Sequence, residues 1–182
     1  SNFEWYLHTA RGWSKPHVVG YMESHDEERM MYRNLQFGNT ANASHNVRDL
    51  NVALKRIELC AAFFLSAPGP KMIWQFGELG YDFSINHCVD GTINNNCRLD
   101  KKPIRWDYPA IIQRKRLYDI FSAMNKLRFH PWYKDVFIAN NINLNRNLAG
   151  AFKNMTIRSA ADSSMLCVVG NFDVTAQTGS FT

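Results

Sequence analysis

The sequence predicts an α/β protein over residues 1–130, followed by a short all-β segment over residues 131–182. Three observations predict it. Residues 17–22 (HVVGYM) and 71–76 (KMIWQF) are short, mostly apolar runs of strand character. The segments before, between and after them carry the 3.6-residue apolar period of helices. Beyond Pro131 the pattern changes to brief runs divided by Asn, Asp and Ser turns. Strand–helix alternation implies parallel strands with right-handed crossovers. Two such strands cannot make a sheet buried on both faces. Further strands are therefore expected, from a preceding part of the protein or from a second copy.

Taken in order, Phe3, Tyr6, Leu7, Ala10 and Trp13 have the spacing of an amphipathic helix, which Lys15-Pro16 ends. The strand over residues 17–22 runs straight into Glu23, Ser24, His25, Asp26, Glu27, Glu28 and Arg29. A loop rich in Asn, Gly and Ser follows over residues 38–46. Leu50, Ala53, Leu54, Ile57, Ala61 and Phe64 then share one helical face, and Pro68-Gly69-Pro70 stops that helix. After the strand over residues 71–76, a loop reaches about Trp106. Its length exceeds the usual range, which favours a functional or disulfide-tied loop. Asp107 is expected to cap the next helix, with Pro109 in its first turn. Ile112, Leu117, Ile120, Phe121, Met124 and Leu127 mark that helix's buried side. Residues 136–139, 150–153 and 165–172 read as strands.

Composition narrows the function. With 46% hydrophobic residues in a chain of 182, a folded globular protein is expected. No apolar run approaches the roughly 18 residues of a membrane span, and residues 1–13 lack the basic start and apolar core of a signal peptide. The formal charge of +5 is scattered. Its densest cluster, Arg114-Lys115-Arg116, reads as a solvated helix face rather than a nucleic-acid footprint. Neither a nucleic-acid nor a membrane partner is expected. Of four cysteines, Cys60 and Cys167 read as core residues. Cys88 and Cys97 share one loop, where a disulfide would suit an exported protein. Without a CxxC pair, no metal site is expected in this chain.

The chemistry concentrates in Tyr21-Met22-Glu23-Ser24-His25-Asp26, a His-Asp pair at the C-terminal end of a strand. In a (β/α)8 barrel the active site is built at that end. The segment resembles a conserved region of the α-amylase family of glycoside hydrolases: an aromatic, two variable residues, Asn or Ser, His and Asp. Arg29 falls where that family often keeps an Arg. Residues 69–80 (GPKMIWQFGELG) look like the same family's eighth-strand segment. The run ending in Val168-Val169-Gly170-Asn171-Phe172 resembles the start of the β-sandwich that follows the barrel. The likeness is closest to secreted bacterial α-amylases. It implies that residues 1–130 are the last strand–helix repeats, about strands 7 and 8, of a (β/α)8 TIM barrel. Residues 131–182 would be an incomplete C-terminal β domain.

The resemblance also implies roles. Asp26 matches the catalytic carboxylate that stabilises the transition state by accepting hydrogen bonds from sugar hydroxyls. His25 matches a sugar-binding histidine. Glu78 matches a supporting Glu after the eighth strand. Glu23 either faces the site with His25 or pairs with Arg29. Tyr81 and Trp106 line the sugar or pack the loop, whereas packing is expected of Trp74 and Phe76.

The family's other two carboxylates, nucleophile and acid/base, have no match in this sequence. The chain is accordingly expected to be inactive alone, needing the N-terminal barrel part, and to self-associate through an exposed sheet edge. An α-glucan is the expected ligand. No cofactor is expected here, and calcium would sit in the parent. Three other readings remain open: a non-catalytic carbohydrate-binding module, a branching-enzyme-like transglycosylase, and a metal-dependent phosphohydrolase. The last places its His-Asp pair within helices and needs further His and Asp ligands, for which His8 and His17 are poorly placed.

Overall fold

The computed structural model describes residues 2–138, 142–159 and 164–180. Two compact units interleave along the chain. Ser1–Gly20, Leu59–Met72 and Phe121–Thr182 make one, and Tyr21–Glu58 with Ile73–Ile120 the other. Residues 130 and 131, where the change to β character was expected, both fall in the first unit.

In that unit, two 3-10 turns, Glu4–Tyr6 and His8–Arg11, replace the expected helix over residues 3–13. Leu7 between them is extended, and Gly12 closes the second turn in the left-handed region. Packing explains the break. Leu7 is fully buried against Phe63 and Val136, and two successive turns satisfy the same apolar spacing. Strand β1 is Gly20–Tyr21 and β2 is Lys71–Met72, each far shorter than its apolar run. The two pair directly. Gly69, at φ 91°, makes the turn before β2, and a Cβ there would come within 2.6 Å of the Pro16 carbonyl.

The long helix is present. We number the helices α1 (Met30–Phe37), α2 (Leu50–Ser66), α3 (Ile112–Arg128) and α4 (Lys134–Ile138). Asp49 caps α2 through the N–H groups of Asn51 (2.9 Å) and Val52 (3.2 Å). Arg128 lies in the last turn of α3. Its guanidinium donates to the carbonyls of Leu65, Ala67 and Gly69, satisfying the C-terminal end of α2. Helix α4 overturns the expected strand over residues 136–139, of which Ala139 lies outside the described residues. Val136 and Phe137 are buried on a helical turn. A short apolar run cannot by itself distinguish the two conformations.

Strands β3 (Ile142–Asn147), β4 (Phe152–Ser159) and β5 (Met165–Asn171) form an antiparallel sheet in the order β3-β4-β5. Met155 and Ile157 of β4 point into the core, and Leu144, Leu166 and Val168 pack against it. Alternation then turns Cys167, opposite Thr156, outward. Cys167 is exposed and Cys60 only half-buried, so neither is the core residue expected.

In the second unit, α1 was not foreseen. It lacks a local cap, since Arg29 at its N-cap makes no side-chain cap bond. The Glu23 carboxylate supplies one instead, accepting from the Met30 N–H at 2.8 Å. Before α3, Tyr108–Ala110 forms a 3-10 turn. Asp107 does not cap it but pairs with Arg105 at 2.6 Å. Leu117 lies on the buried side of α3, whereas Ile112 is exposed. Arg114 corrects the expected solvated cluster. It is buried, pairs with Asp82 at 2.6 Å and donates to the Leu79 and Gly80 carbonyls. Its position one turn before Leu117 puts it on the inward stripe. Its neighbours Lys115 and Arg116 are exposed.

Candidate functional site

The second unit carries the chemistry. Immediately after β1 the chain enters a tight polar turn. The buried Ser24 hydroxyl accepts from the Asp26 N–H at 3.1 Å and donates to the Glu27 carboxylate. This turn presents His25 and Asp26 side by side, with Nε2 3.3 Å from Oδ2 and both side chains about two-thirds exposed, at 69% and 67%. Arg98 comes from the long loop. Its Nη2 stands 3.5 Å from Asp26 Oδ1 and donates to the Asp26 carbonyl oxygen. The His25 ring lies 5.9 Å from that of Trp74.

Behind the turn sits a buried ion pair. Arg29 Nη2 is 2.8 Å from Glu23 Oε1 and also donates to the Gln75 carbonyl. Of the two orientations open to Glu23, the structure has the ion pair. Burial pushes the Glu23 carboxyl up and the Arg29 guanidinium down, and their contact opposes both shifts. Gly77 fits close beside them, where a Cβ would meet Glu23 Oε1 at 2.8 Å. The guanidinium also covers the Tyr81 ring at 4.5 Å.

The long loop is anchored at both ends. Glu28 accepts from the Ser84 hydroxyl (2.5 Å) and the Ile85 N–H (2.9 Å). Lys102 Nζ donates to the carbonyls of His87 (2.9 Å) and Cys97 (2.6 Å). Cys88 and Cys97 are joined by a disulfide with Cα atoms 5.1 Å apart. Asp100 completes a cluster with these two sulfurs, all ligand atoms lying within 4.8 Å. Two sulfurs bonded to each other are not thiolates, so the cluster in this form offers a metal only the Asp100 carboxylate.

Between loop and turn lies a cleft of about 250 Å³. His25, Arg29, Trp74, Tyr81, Arg98 and Lys102 are among its walls. The residues expected from sequence divide accordingly. His25 lines the cleft with Arg29 in its wall; Asp26 stands beside His25 but outside that lining, and Glu23 lies behind, paired with Arg29. Tyr81 also borders it but is almost wholly buried, its hydroxyl donating to the Pro103 carbonyl at 2.7 Å and pushed up to about 12 by burial. Trp106 is exposed, packs edge-on against Phe76 at 4.9 Å and does not line the cleft. Glu78 lies half-buried in the 3-10 turn Gly77–Leu79, also outside the lining. Phe76 packs as expected, whereas Trp74, also expected to pack, is part of the wall. Sequence reasoning missed Arg98, Glu28 and Lys102. The signal available for Arg98 was its place directly after Cys97.

Among the described residues, no helix is long and apolar enough to cross a membrane. In comparisons with protein-family models and with curated proteins, nothing matches this chain.

Proposed function

We propose that this chain is the C-terminal portion of a retaining α-amylase-type glycoside hydrolase that cleaves α-1,4-glucosidic bonds of starch or glycogen. Residues 1–130 would then be the last strand–helix repeats of its (β/α)8 barrel. The observation that carries the reading is the exposed His25–Asp26 pair, braced by Arg98, with His25 and Arg98 lining the adjoining cleft. In this reading the Asp26 carboxylate accepts hydrogen bonds from hydroxyls of the sugar being cleaved. Those bonds strengthen as the ring flattens toward an oxocarbenium ion, and only such differential bonding accelerates the reaction. His25 donates to a neighbouring hydroxyl and fixes the ring. Arg98 holds the Asp26 turn in place through its carbonyl and carboxylate. The nucleophile and the general acid belong to strands outside these residues, so this chain alone does not hydrolyse glucan. The Cys88–Cys97 disulfide supports an exported protein.

Release of reducing ends from soluble starch tests this, with the chain and the longer protein assayed side by side. The longer protein is expected to be active and the chain inert. Asp26→Asn in the longer protein should lower kcat by about 100-fold or more. A longer protein inert on starch and related glucans overturns the reading.

A further inference from the structure

We propose that Trp74 is the aromatic platform of the cleft: one pyranose ring lays its C–H face on the indole while His25 and Asp26 take its hydroxyls. This rests on the glycosidase reading and deepens it to a named contact. The cleft, at about 250 Å³, lies below the roughly 300–1,000 Å³ of pockets for drug-sized ligands. It suits one sugar unit of a longer chain. A pyranose offers an apolar face and a polar rim, so its receptor needs an open aromatic surface beside hydrogen-bonding groups.

Trp74, Tyr81 and Phe83 line this cleft and Trp106 was a further candidate; their surroundings discriminate among them. Tyr81 has Arg29 over its ring at 4.5 Å and Phe76 stacked at 5.9 Å. Phe83 has Arg105 over its ring at 5.5 Å and the His87 ring edge-on at 4.9 Å. Trp106 stands outside the lining. Trp74 is half-buried in the wall, and its ring neighbour is His25 itself, tilted by 50°. Among the described residues no cation covers it. A sugar on this indole lies within reach of the pair that the reading assigns to its hydroxyls.

Hydrogen bonds tie the backbone at Trp74. Its carbonyl accepts from the Gly77 N–H at 2.8 Å, and the next carbonyl, of Gln75, accepts from Arg29. Phe76 then takes the left-handed conformation, φ 56°, a rare state for a side chain with a Cβ. Outliers of this kind collect where the surroundings over-determine the backbone, as at binding sites. A platform on such a turn is ordered before the ligand arrives.

The test uses the full chain, labelled with nitrogen-15 and titrated with maltoheptaose or cellohexaose. Trp74→Phe identifies the Trp74 indole N–H resonance by its loss. Maltoheptaose is expected to shift that resonance. Trp74→Ala should weaken binding about tenfold, and Trp74→Phe, which keeps a ring, clearly less. The indole readout is taken on the unaltered chain and does not depend on a variant folding. If maltoheptaose binds without moving the Trp74 resonance, and Trp74→Ala binds it unchanged, the platform is overturned while the α-glucan reading stands. If cellohexaose moves the resonance and maltoheptaose does not, the platform stands and the α-glucan reading falls. Failure of both sugars to bind overturns the platform, and the α-glucan reading is then decided by the starch assay of the longer protein.

Discussion

Lys71, on β2, shows what a single half-buried cation does to stability. Its ammonium donates to the carbonyls of Pro68 (3.1 Å) and Gly69 (2.9 Å) and lies 5.7 Å from the Phe64 ring. The charges it feels are cationic. Arg128 acts on it, and it in turn lowers His8. Burial first and Arg128 second bring its pKa from 10.5 down to about 7. The unfolded chain therefore holds this proton more tightly than the folded one. Between the two values the unfolded state binds more protons, so stability rises with pH through that window. The contribution is complete above the unfolded value and lost as pH falls to the folded one. Equilibrium urea unfolding should show a midpoint that climbs from about pH 7 to about pH 10, and climbs less in Lys71→Met. Parallel profiles for the two proteins would refute the assignment.

Among the elements, the loop between Gly80 and Trp106 depends most on specific ties. The Cys88–Cys97 link closes a short ring directly before Arg98, while Glu28 and Lys102 pin the flanks. A ring of this length restricts the unfolded chain by about 2–3 kcal/mol in the loop-closure account. Replacing both cysteines with serine should lower the unfolding free energy by about that amount, read by urea titration without reductant. A change near zero would mean that the hydrogen bonds alone hold the loop. The same elements separate what could be read from the sequence. Helix α2 was legible because Asp49 caps it locally and its apolar stripe is regular over four turns. Strand β5 was legible from its apolar run, whereas the strand expected over residues 150–153 meets β4 only at Phe152 and Lys153, and β3, rich in Asn, was not foreseen. Helix α1 was not, because its cap, Glu23, sits seven residues upstream and no local rule links the two. The segment over residues 3–13 misled because the pattern of one helix also fits two 3-10 turns around a buried Leu7. At the site, His25-Asp26 was legible as a dipeptide after a strand. Arg98 and Trp74 were not, since a folded loop and a turn bring them to it.

At the scale of the molecule, the two compact units are each built from separate stretches of the chain. Residues 121–130 share a unit with residues 1–20 and with the β3-β4-β5 sheet. This could not be read from composition shifts, which follow the chain rather than its contacts. The sheet has a further consequence. Among the described residues β5 is the end strand of the β3-β4-β5 order, hydrogen-bonded as a strand to β4. Met165 and Val169 on that strand are exposed, at 47% and 42%. An apolar strand at the end of a sheet is a site where another strand can add, and nothing charged on β5 opposes the pairing. The complementary surface nearest to hand is the same edge of a second copy, met antiparallel about a two-fold axis. The isolated chain is thus expected to self-associate in a concentration-dependent way, with dimers seen by size-exclusion chromatography with light scattering. Val169→Lys places a charge on the exposed face and should shift the population to monomer without loss of secondary structure, because Val169 is not in the core. A clean monomer of the unaltered chain across the accessible concentration range would sink the idea. Dimers that persist in Val169→Lys would assign the association to a different surface.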